Sequence, residues 1–419
     1  MIIDRSLYDK TLEVLKSIKE NFKEENFKIL LEQNENDYFP DFLKENLKKY
    51  IQFYNDNLKK IIDESGLFST DNPSQVINKI EIITNSINET IEKYYEGNIY
   101  QASLSLFNTF NNQIFLDNVD GIVLQNGKRI VAINTEKLKH DDFTFFRSRV
   151  KESYVTLYTK KDMFHIPFEL RHKIKTNRYS IPGNPALYFG DTTYICWEEL
   201  DRPKLEELFF SKFSINADSI VILSLKRVQD SNLYNANLDE FNDPKTTELE
   251  FSEIYNKLLF LFIDTMQYLS TFPLILACTI KVKNSKGAFK PEYIIPQLLI
   301  QYIQFINTDI KGIKYPSTKV DYSKLENLNT YNYVFPVRES AQEGFCKELK
   351  SAFYLTEPTS LELENVLFNP VGLYAQALDN SPIDTRKFEI IEGIKNYYYE
   401  SSFGKIEHIL RNRIPIPLI

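Results

Sequence analysis

Histidine and cysteine are scarce in this sequence, which contains four and three of them among 419 residues. No two histidines are three or four positions apart, so the chain lacks the spacing of a helical zinc site. The cysteines, Cys196, Cys278 and Cys346, are odd in number and widely separated, which argues against a disulfide framework and is typical of a reducing compartment. We therefore expect a cytoplasmic protein with no bound metal.

Three common catalytic signatures are also missing from the sequence. It has only 12 glycines, and they form neither a nucleotide-binding P-loop nor a G-x-G-x-x-G fingerprint. A G-x-S-x-G elbow, which would indicate a serine hydrolase, is absent as well. We therefore do not expect a P-loop NTPase, a Rossmann dehydrogenase or an α/β-hydrolase.

Strongly basic surfaces and long apolar runs are not evident either. The formal net charge of -8 argues against a general nucleic-acid partner. The first residues lack the apolar core of a signal peptide, and the longest apolar stretch, residues 258–263, is too short to cross a membrane. We expect neither nucleic acid nor membrane among the partners.

Hydrophobic residues make up 43% of the chain, enough for a sizeable core in one large domain or two. In the first 115 residues they recur at helical spacing, for example at Leu12, Leu15 and Ile18. Asn72 and Pro73 are typical of an N-cap and the first position of a further helix. We predict an all-α N-terminal region over residues 1–118, without a catalytic cluster.

Strand patterns begin after this region, so we predict an α+β domain over residues 119–419. Residues 121–133 have the pattern of a hairpin with Asn126-Gly127 at its turn. Further strands are predicted at 144–150, 154–158, 220–225, 274–282, 312–317 and 331–337. Helices are predicted at 248–269 and 296–305, and residues 385–411 are expected to be mostly helical.

Residues 177–199 combine a rigid turn, a strand and a helix in one short stretch. The turn 180–185 contains two prolines and a glycine, and an apolar strand follows at 186–189. A helix should start near Thr192, capped by Asp191 or Thr192. Tyr188 then leaves a strand end and Glu199 lies two turns into the helix, as in many ligand sites. An ordinary β-turn-α unit with a surface acid explains this stretch equally well.

Arg147 and Arg149 alternate along the predicted strand 144–150 and should share one face. Two guanidinium groups on one face repel each other unless an anion lies between them, and a phosphate pair suits them. The alternative is an exposed strand face with salt bridges. Arg178 precedes the rigid turn and can reach the same anion. Glu199 can stabilise positive charge, although its neighbour Glu198 competes for the inward position.

Five segments together resemble the RES domain family, which is named for an arginine, a glutamate and a serine. They are FFRSRV (145–150), RYSIPGNPALYFGDTTYICWEE (178–199), IPQLLIQYI (295–303), GIKYPS (312–317) and NYVFP (332–336). The family pattern has an acid eleven residues beyond the tyrosine, which selects Glu199 rather than Glu198. The chain departs from the pattern at Tyr179-Ser180 and by an insertion between Arg147 and Arg178 that contains residues 162–167. The resemblance covers residues 120–340.

The resemblance implies a fold like the ADP-ribosyltransferases, with a split mixed β-sheet that holds NAD+ in a cleft. Family members are mostly toxins of bacterial toxin–antitoxin pairs, which consume NAD+ by hydrolysis or phosphorolysis. The implied partners are NAD+ as substrate, phosphate and an antitoxin or other regulatory protein. The implied roles are diphosphate or ribose binding by Arg147 and Arg178, nicotinamide stacking by Tyr188, catalysis by Glu199 and completion of the site by Ser317. To these, strand alternation adds Arg149.

Three functions remain open at this stage. The chain degrades NAD+ as a toxin or defence effector, or it transfers ADP-ribose to a macromolecule through the same site. In the third case the RES-like region is a non-catalytic binding module and the N-terminal helices carry the function. The joint presence of the five site residues argues against this third case.

Overall fold

A computed structural model describes residues 5–68, 74–111, 122–124, 129–130, 135–139, 143–152, 157–242, 248–367 and 384–418. These residues form α-helices, strands and short 3-10 turns in a mixed order, which confirms the α+β class. The helices are α1 Arg5–Lys19, α2 Phe39–Asn57, α3 Lys59–Asp63, α4 Gln75–Tyr95, α5 Ile99–Thr109, α6 Lys160–Met163, α7 Thr193–Glu199, α8 Asn232–Asn235, α9 Glu248–Thr279, α10 Ile294–Phe305, α11 Lys347–Ala352, α12 Leu361–Leu367 and α13 Ser402–Arg411.

The strands begin where the composition changes, after the first five helices. They are β1 Ile122–Val123, β2 Arg129–Ile130, β3 Thr135–Lys139, β4 Thr144–Val150, β5 Ala186–Gly190, β6 Leu208–Ile215, β7 Ser219–Ser224, β8 Ile310–Pro316, β9 Leu325–Glu326, β10 Tyr331–Pro336, β11 Phe353–Leu355, β12 Lys387–Ile391, β13 Ile394–Tyr397 and β14 Ile416–Pro417.

The chain divides into two compact units, and the first is discontinuous in sequence. It comprises Met1–Thr135 and Leu223–Tyr302, while the second comprises Glu136–Ile222 and Ile303–Ile419. The sequence-based division at residue 118 lies outside the described residues. The two compact units nevertheless differ from the predicted domains, because the long helix α9 belongs to the same unit as the N-terminal helices.

Helix α9 forms the centre of the first unit and is longer than predicted. It runs to Thr279 through Pro273, so the strand predicted at 274–282 is wrong. Proline removes one helical hydrogen bond and leaves the carbonyl four residues earlier without its usual donor. That carbonyl belongs to Leu269, and it accepts a hydrogen bond of 2.7 Å from the buried Tyr50 hydroxyl. A tertiary contact thus satisfies the group that the proline leaves open.

Residues Glu250–Thr279 of α9 are long and apolar enough to cross a membrane, by length and composition alone. The most apolar window has a mean hydropathy of 1.5, and 78% of it is buried inside the structure. The sequence-based expectation that no stretch is long enough therefore does not hold. A core helix of a globular unit meets the same criterion when protein covers most of its surface.

Several other boundaries differ from the predictions or fall outside the described residues. Helix α4 begins at Gln75 after Ser74, whereas Asn72 and Pro73 are not among the described residues. Strands β1 and β2 pair antiparallel as the predicted hairpin requires, but its Asn-Gly turn is outside the description. The strand predicted at 154–158 lies mostly outside it too, and Leu157 and Tyr158 are not in a strand.

The second unit is built on a nine-stranded sheet with the order β14-β11-β6-β4-β5-β10-β8-β7-β3. Its core face is aromatic: the Phe145 ring lies 5.2 Å from Phe189 and 4.8 Å from Tyr333, and Phe335 lies 4.8 Å from Phe353. Strand β4 pairs with β6 along its full length. With β5 it pairs only at Phe146 opposite Gly190, so the ladder between these two strands opens beyond that pair.

The C-terminal part is helical only in its second half, so the prediction for 385–411 is wrong for its first half. Strands β12 and β13 form a hairpin that turns at Gly393, whose φ of 79° favours glycine. Helix α13 begins only at Ser402, where the Ser401 hydroxyl accepts from the Gly404 amide. The β-branched residues before this cap fit a strand better than a helix.

Candidate active site

The junction of β5 and α7 has the predicted form, with a strand, a tight turn and a capped helix. The Thr192 hydroxyl accepts a hydrogen bond from the Ile195 amide and so caps α7. Gly190 ends the strand where a Cβ would lie 3.1 Å from the Cys196 sulfur, so any larger residue there would displace that side chain. Glu199 is the last residue of α7. Because of this position, its carboxylate lies beyond the helix and toward the sheet.

Two side chains from neighbouring strands hold the Glu199 carboxylate. The Ser317 hydroxyl, directly after β8, donates to its Oε1 at 2.7 Å, and the Asn332 amide, on β10, donates to the same oxygen at 2.5 Å. The Lys319 ammonium donates to the Glu199 backbone carbonyl at 2.6 Å. Because three groups fix one residue, the carboxylate has a defined position and orientation. The structure thus brings together two predicted site residues, Glu199 and Ser317.

The adjacent acid, Glu198, has a different environment. Its side chain is 3% exposed and forms two hydrogen bonds with Arg202, at 2.8 and 3.0 Å. The Tyr194 hydroxyl also faces it, and burial together with the Glu198 carboxylate raises the pKa of that tyrosine. Glu198 is therefore occupied by a local ion pair, whereas Glu199 reaches the sheet.

Arg147 lies where the ladder between β4 and β5 opens. Its Nη1 donates to the Tyr188 backbone carbonyl at 2.9 Å, while its Nε is buried and has no hydrogen-bond partner among the described residues. No described carboxylate forms an ion pair with it. Burial and, to a lesser extent, the Arg149 cation lower the pKa of Arg147 to about 10. A half-buried cation without a carboxylate partner is costly, and a bound anion would offset that cost.

Hydroxyl groups of neighbouring residues contact the side chains of Arg178 and Tyr188. Arg178 is 6% exposed, and its Nη2 donates to the Thr318 hydroxyl at 3.1 Å, one residue from Ser317. The Tyr188 hydroxyl lies 2.6 Å from the Ser180 hydroxyl. Arg178 thus contacts the chain just after β8, whereas Tyr188 contacts the first residue of the rigid turn.

Arg149 is held by a separate set of contacts. It donates to the Asp162 carbonyl at 2.7 Å, lies 3.6 Å from the Glu152 carboxylate and stands over the Tyr158 ring at 5.3 Å. Its cation is nevertheless near enough to lower the pKa of Arg147. The structure therefore places Arg149 beside the site with its guanidinium group engaged by its own neighbours.

Cys196 connects the arginine side of the site with the glutamate side. Burial raises the pKa of its thiol to about 12, Arg147 lowers the pKa and Glu199 raises it, so both charged groups are close to this sulfur. The thiol donates to the Phe146 carbonyl at 3.2 Å. A buried thiol that stays protonated is a poor nucleophile, so Cys196 is a packing residue here.

Sequence reasoning did not select Asn332 as a site residue, although it belongs to the NYVFP segment of the resemblance. Its role is visible only in the pairing of β10 with β5 and β8, where Asn332 lies opposite Gly190 and Tyr315. The described residues contain no cluster of three or more histidine, cysteine or acidic side chains that could hold a metal ion. The groups that remain are the buried Arg178, the half-buried Arg147 and one fixed carboxylate, which suit a substrate with an anionic and a cationic part.

No protein-family model matches the chain, and no solved structure matches it significantly. The RES resemblance and the ADP-ribosyltransferase-like architecture therefore stay predictions. A curated protein of Bacillus subtilis (strain 168), named putative toxin YopC, is 34% identical over 339 residues. The match covers 80% of this chain and 70% of that protein. Identity at this level over most of both chains shows common descent, and the chain belongs to the same family as the putative toxin YopC.

Proposed function

We propose that this protein is a toxin that consumes NAD+ by cleaving the bond between nicotinamide and ribose. One observation carries the proposal: Ser317 and Asn332 fix the Glu199 carboxylate, and this carboxylate and the half-buried Arg147 both shift the pKa of Cys196. Among the described residues, no carboxylate forms an ion pair with Arg147. The relative named as a putative toxin supports the biological class. The RES resemblance supports the choice of substrate.

The substrate has charges that complement these groups. NAD+ carries an anionic diphosphate, which Arg147 and Arg178 would bind, and a cationic nicotinamide ring, on which Tyr188 would stack. The Arg147 Nε has a free N–H for an oxygen of the diphosphate, because this atom has no partner among the described residues. Binding would then supply an anionic partner to this half-buried guanidinium group.

The reaction would proceed by loss of nicotinamide from the ribose. The bond between ribose C1′ and the nicotinamide nitrogen breaks, and its electron pair neutralises the pyridinium ring. Positive charge develops on C1′ and its ring oxygen, as in glycoside cleavage. The Glu199 carboxylate would stabilise this charge, and it needs no reorganisation because its two donors already fix it. An acceptor oxygen then forms the new bond to C1′ and loses its proton to solvent.

The acceptor decides which enzyme class applies. Water gives a glycohydrolase and inorganic phosphate gives a phosphorylase, while a protein side chain would give an ADP-ribosyltransferase. The cation and carboxylate of the site serve all three reactions alike. Product analysis therefore has to identify the acceptor.

The experiment compares purified wild-type protein with Glu199→Gln and with a matched control, Glu206→Gln, an exposed acid seven residues further along. NAD+ and nicotinamide are followed by chromatography, with and without phosphate. Wild type and control should release nicotinamide, and Glu199→Gln should be about 100-fold slower or worse, the usual effect of removing an electrostatic group. Equal rates in the two variants, both folded by circular dichroism, would refute the assignment of Glu199.

Radiolabelled NAD+ distinguishes the remaining functions. Label recovered in a small molecule supports the glycohydrolase or phosphorylase. Label on protein supports the transferase. Absence of turnover, in the free protein and in the presence of cell extract, would support a binding module.

A further inference from the structure

A second group of charged and polar side chains lies behind the candidate site, on the opposite face of the same strands. Asp191, between β5 and α7, accepts a hydrogen bond from the Tyr331 amide at 3.3 Å, and the Tyr333 hydroxyl is near enough to lower the pKa of its carboxyl group. Its own amide donates to the Tyr331 carbonyl at 3.0 Å. Asp191 therefore ties the start of β10 to the end of β5.

Two charged residues from neighbouring strands complete this cluster. Lys314, on β8, lies 3.1 Å from Glu136 of β3, and both side chains are less than one-fifth exposed. The Lys314 ammonium also stands over the Tyr331 ring at 4.5 Å and the Tyr333 ring at 6.0 Å. Lys314, Tyr331, Tyr333 and Glu136 are the charged and polar groups that face Asp191 from the strands packed against it.

Asn332 lies between the two tyrosines that bind Asp191, and alternation directs its side chain to the other face. There it donates to Glu199. The same short segment thus binds Asp191 on one face and the Glu199 carboxylate on the other. A change in the hydrogen bonds of Asp191 therefore acts on the residue that orients Glu199.

We propose that Asp191 is a positioning residue whose ionisation sets how firmly Asn332 holds Glu199, so that acidification loosens the site. An ionised carboxylate accepts a stronger hydrogen bond from the Tyr331 amide than a protonated one does, and it attracts the nearby Tyr333 hydroxyl more strongly. Protonation weakens the link between β10 and the β5–α7 junction. The catalytic part of this inference rests on the proposed function, whereas its structural part does not.

The Asp191 carboxylate should change its protonation state at a pH close to neutral. Burial raises the pKa of Asp191 to about 6, while Lys314 and the Tyr333 hydroxyl lower it and Glu136 raises it. The carboxylate is therefore mostly ionised at pH 7.5 and mostly protonated at pH 5. The effects of these neighbours on the pKa also predict how their substitution should shift the midpoint of the Asp191 titration.

Trp197 offers a readout that does not depend on activity. It is the only tryptophan of the chain, it lies on α7 between Asp191 and Glu199, and its ring packs 5.2 Å from Phe403. Wild-type fluorescence, excited selectively at tryptophan, should change between pH 7.5 and 5 with a midpoint near 6. Asp191→Asn should abolish the change, and the exposed control Asp218→Asn should retain it.

Two further variants keep the test decisive if Asp191→Asn fails to fold. Tyr333→Phe removes a donor to the carboxylate and should raise the midpoint, whereas Glu136→Gln removes a negative charge and should lower it. Shifts in these opposite directions support the cluster as described. A wild-type curve without a transition near pH 6, or a transition that persists in folded Asp191→Asn, would overturn the inference.

The enzymatic readout then tests the link to Glu199. NAD+ consumption by wild type should fall about five- to tenfold between pH 7.5 and 5, as one weakened charge-assisted hydrogen bond allows. Asp191→Asn should be slow throughout and lack that decline. An active wild type with a flat profile would refute the positioning role. No turnover in any variant, with the fluorescence change intact, would refute the proposed function and leave the Asp191 cluster standing.

Discussion

His165 gives the most direct test of the structure, because its effect depends on pH and not on any proposed reaction. The side chain is 1% exposed in the second unit. Its Nε2 accepts a hydrogen bond from the Cys346 amide at 2.9 Å, and its Nδ1 lies 2.8 Å from the Ile166 carbonyl. The ring is therefore neutral, with its proton on Nδ1, and a second proton would break the bond to Cys346.

Burial lowers the pKa of His165 to about 4, against an ordinary value of 6.5. Above pH 6.5 the side chain is neutral in both the folded and the unfolded protein, so it makes no difference to stability. Below pH 6.5 the unfolded chain takes up a proton and the folded one does not. The free energy of unfolding should therefore fall by about 3 kcal/mol between pH 7 and pH 4 on account of this residue.

The substitution His165→Gln removes the titration and keeps an acceptor for the Cys346 amide. Urea unfolding is followed by the fluorescence of Trp197, which lies in the same unit. We expect the variant to gain about 3 kcal/mol relative to wild type as the pH falls from 7 to 4. The exposed His172→Gln serves as the control and should show no such gain. Parallel pH curves for wild type and His165→Gln would show that the reasoning is wrong.

Two further predictions concern the packing of α13 and the serine of the candidate site. In Gly404→Ala the new Cβ would lie 2.2 Å from the Tyr398 carbonyl oxygen. We therefore expect the free energy of unfolding, measured by heat or urea, to fall by about 2 kcal/mol or more. An unchanged unfolding midpoint would contradict the close approach. Ser317→Ala removes one of the two donors to the Glu199 carboxylate. It should lower kcat/KM for NAD+ loss about tenfold and leave the free energy of unfolding unchanged. Loss of stability without loss of rate would assign Ser317 a structural role only.

Local signals were sufficient for the junction that carries Glu199. The turn 180–185, the alternating apolar strand and the Thr192 cap are all encoded within a few residues of one another. The α+β class followed from the same kind of evidence, because helical spacing in the first hundred residues gives way to strand patterns.

The features that sequence reasoning missed depend on distant residues. Helix α9 passes Pro273 because a tyrosine 219 residues before Leu269 satisfies its freed carbonyl. Asn332 binds Glu199 across 133 positions of the chain. The C-terminal hairpin is an exception, because its signals are local: Gly393 and the β-branched residues around it favour β12 and β13, and the helix prediction gave them too little weight.

Where the ladder between β4 and β5 opens, the Arg147 side chain lies between the two strands and could meet a ligand. Arg147 donates one N–H to the Tyr188 carbonyl on β5. A guanidinium group has five N–H donors, so the same side chain can keep this bond and still bind an anion through Nε. Arg147 thus bridges β4 and β5 where their ladder opens, and the same side chain could bind an anion without giving up this bridge.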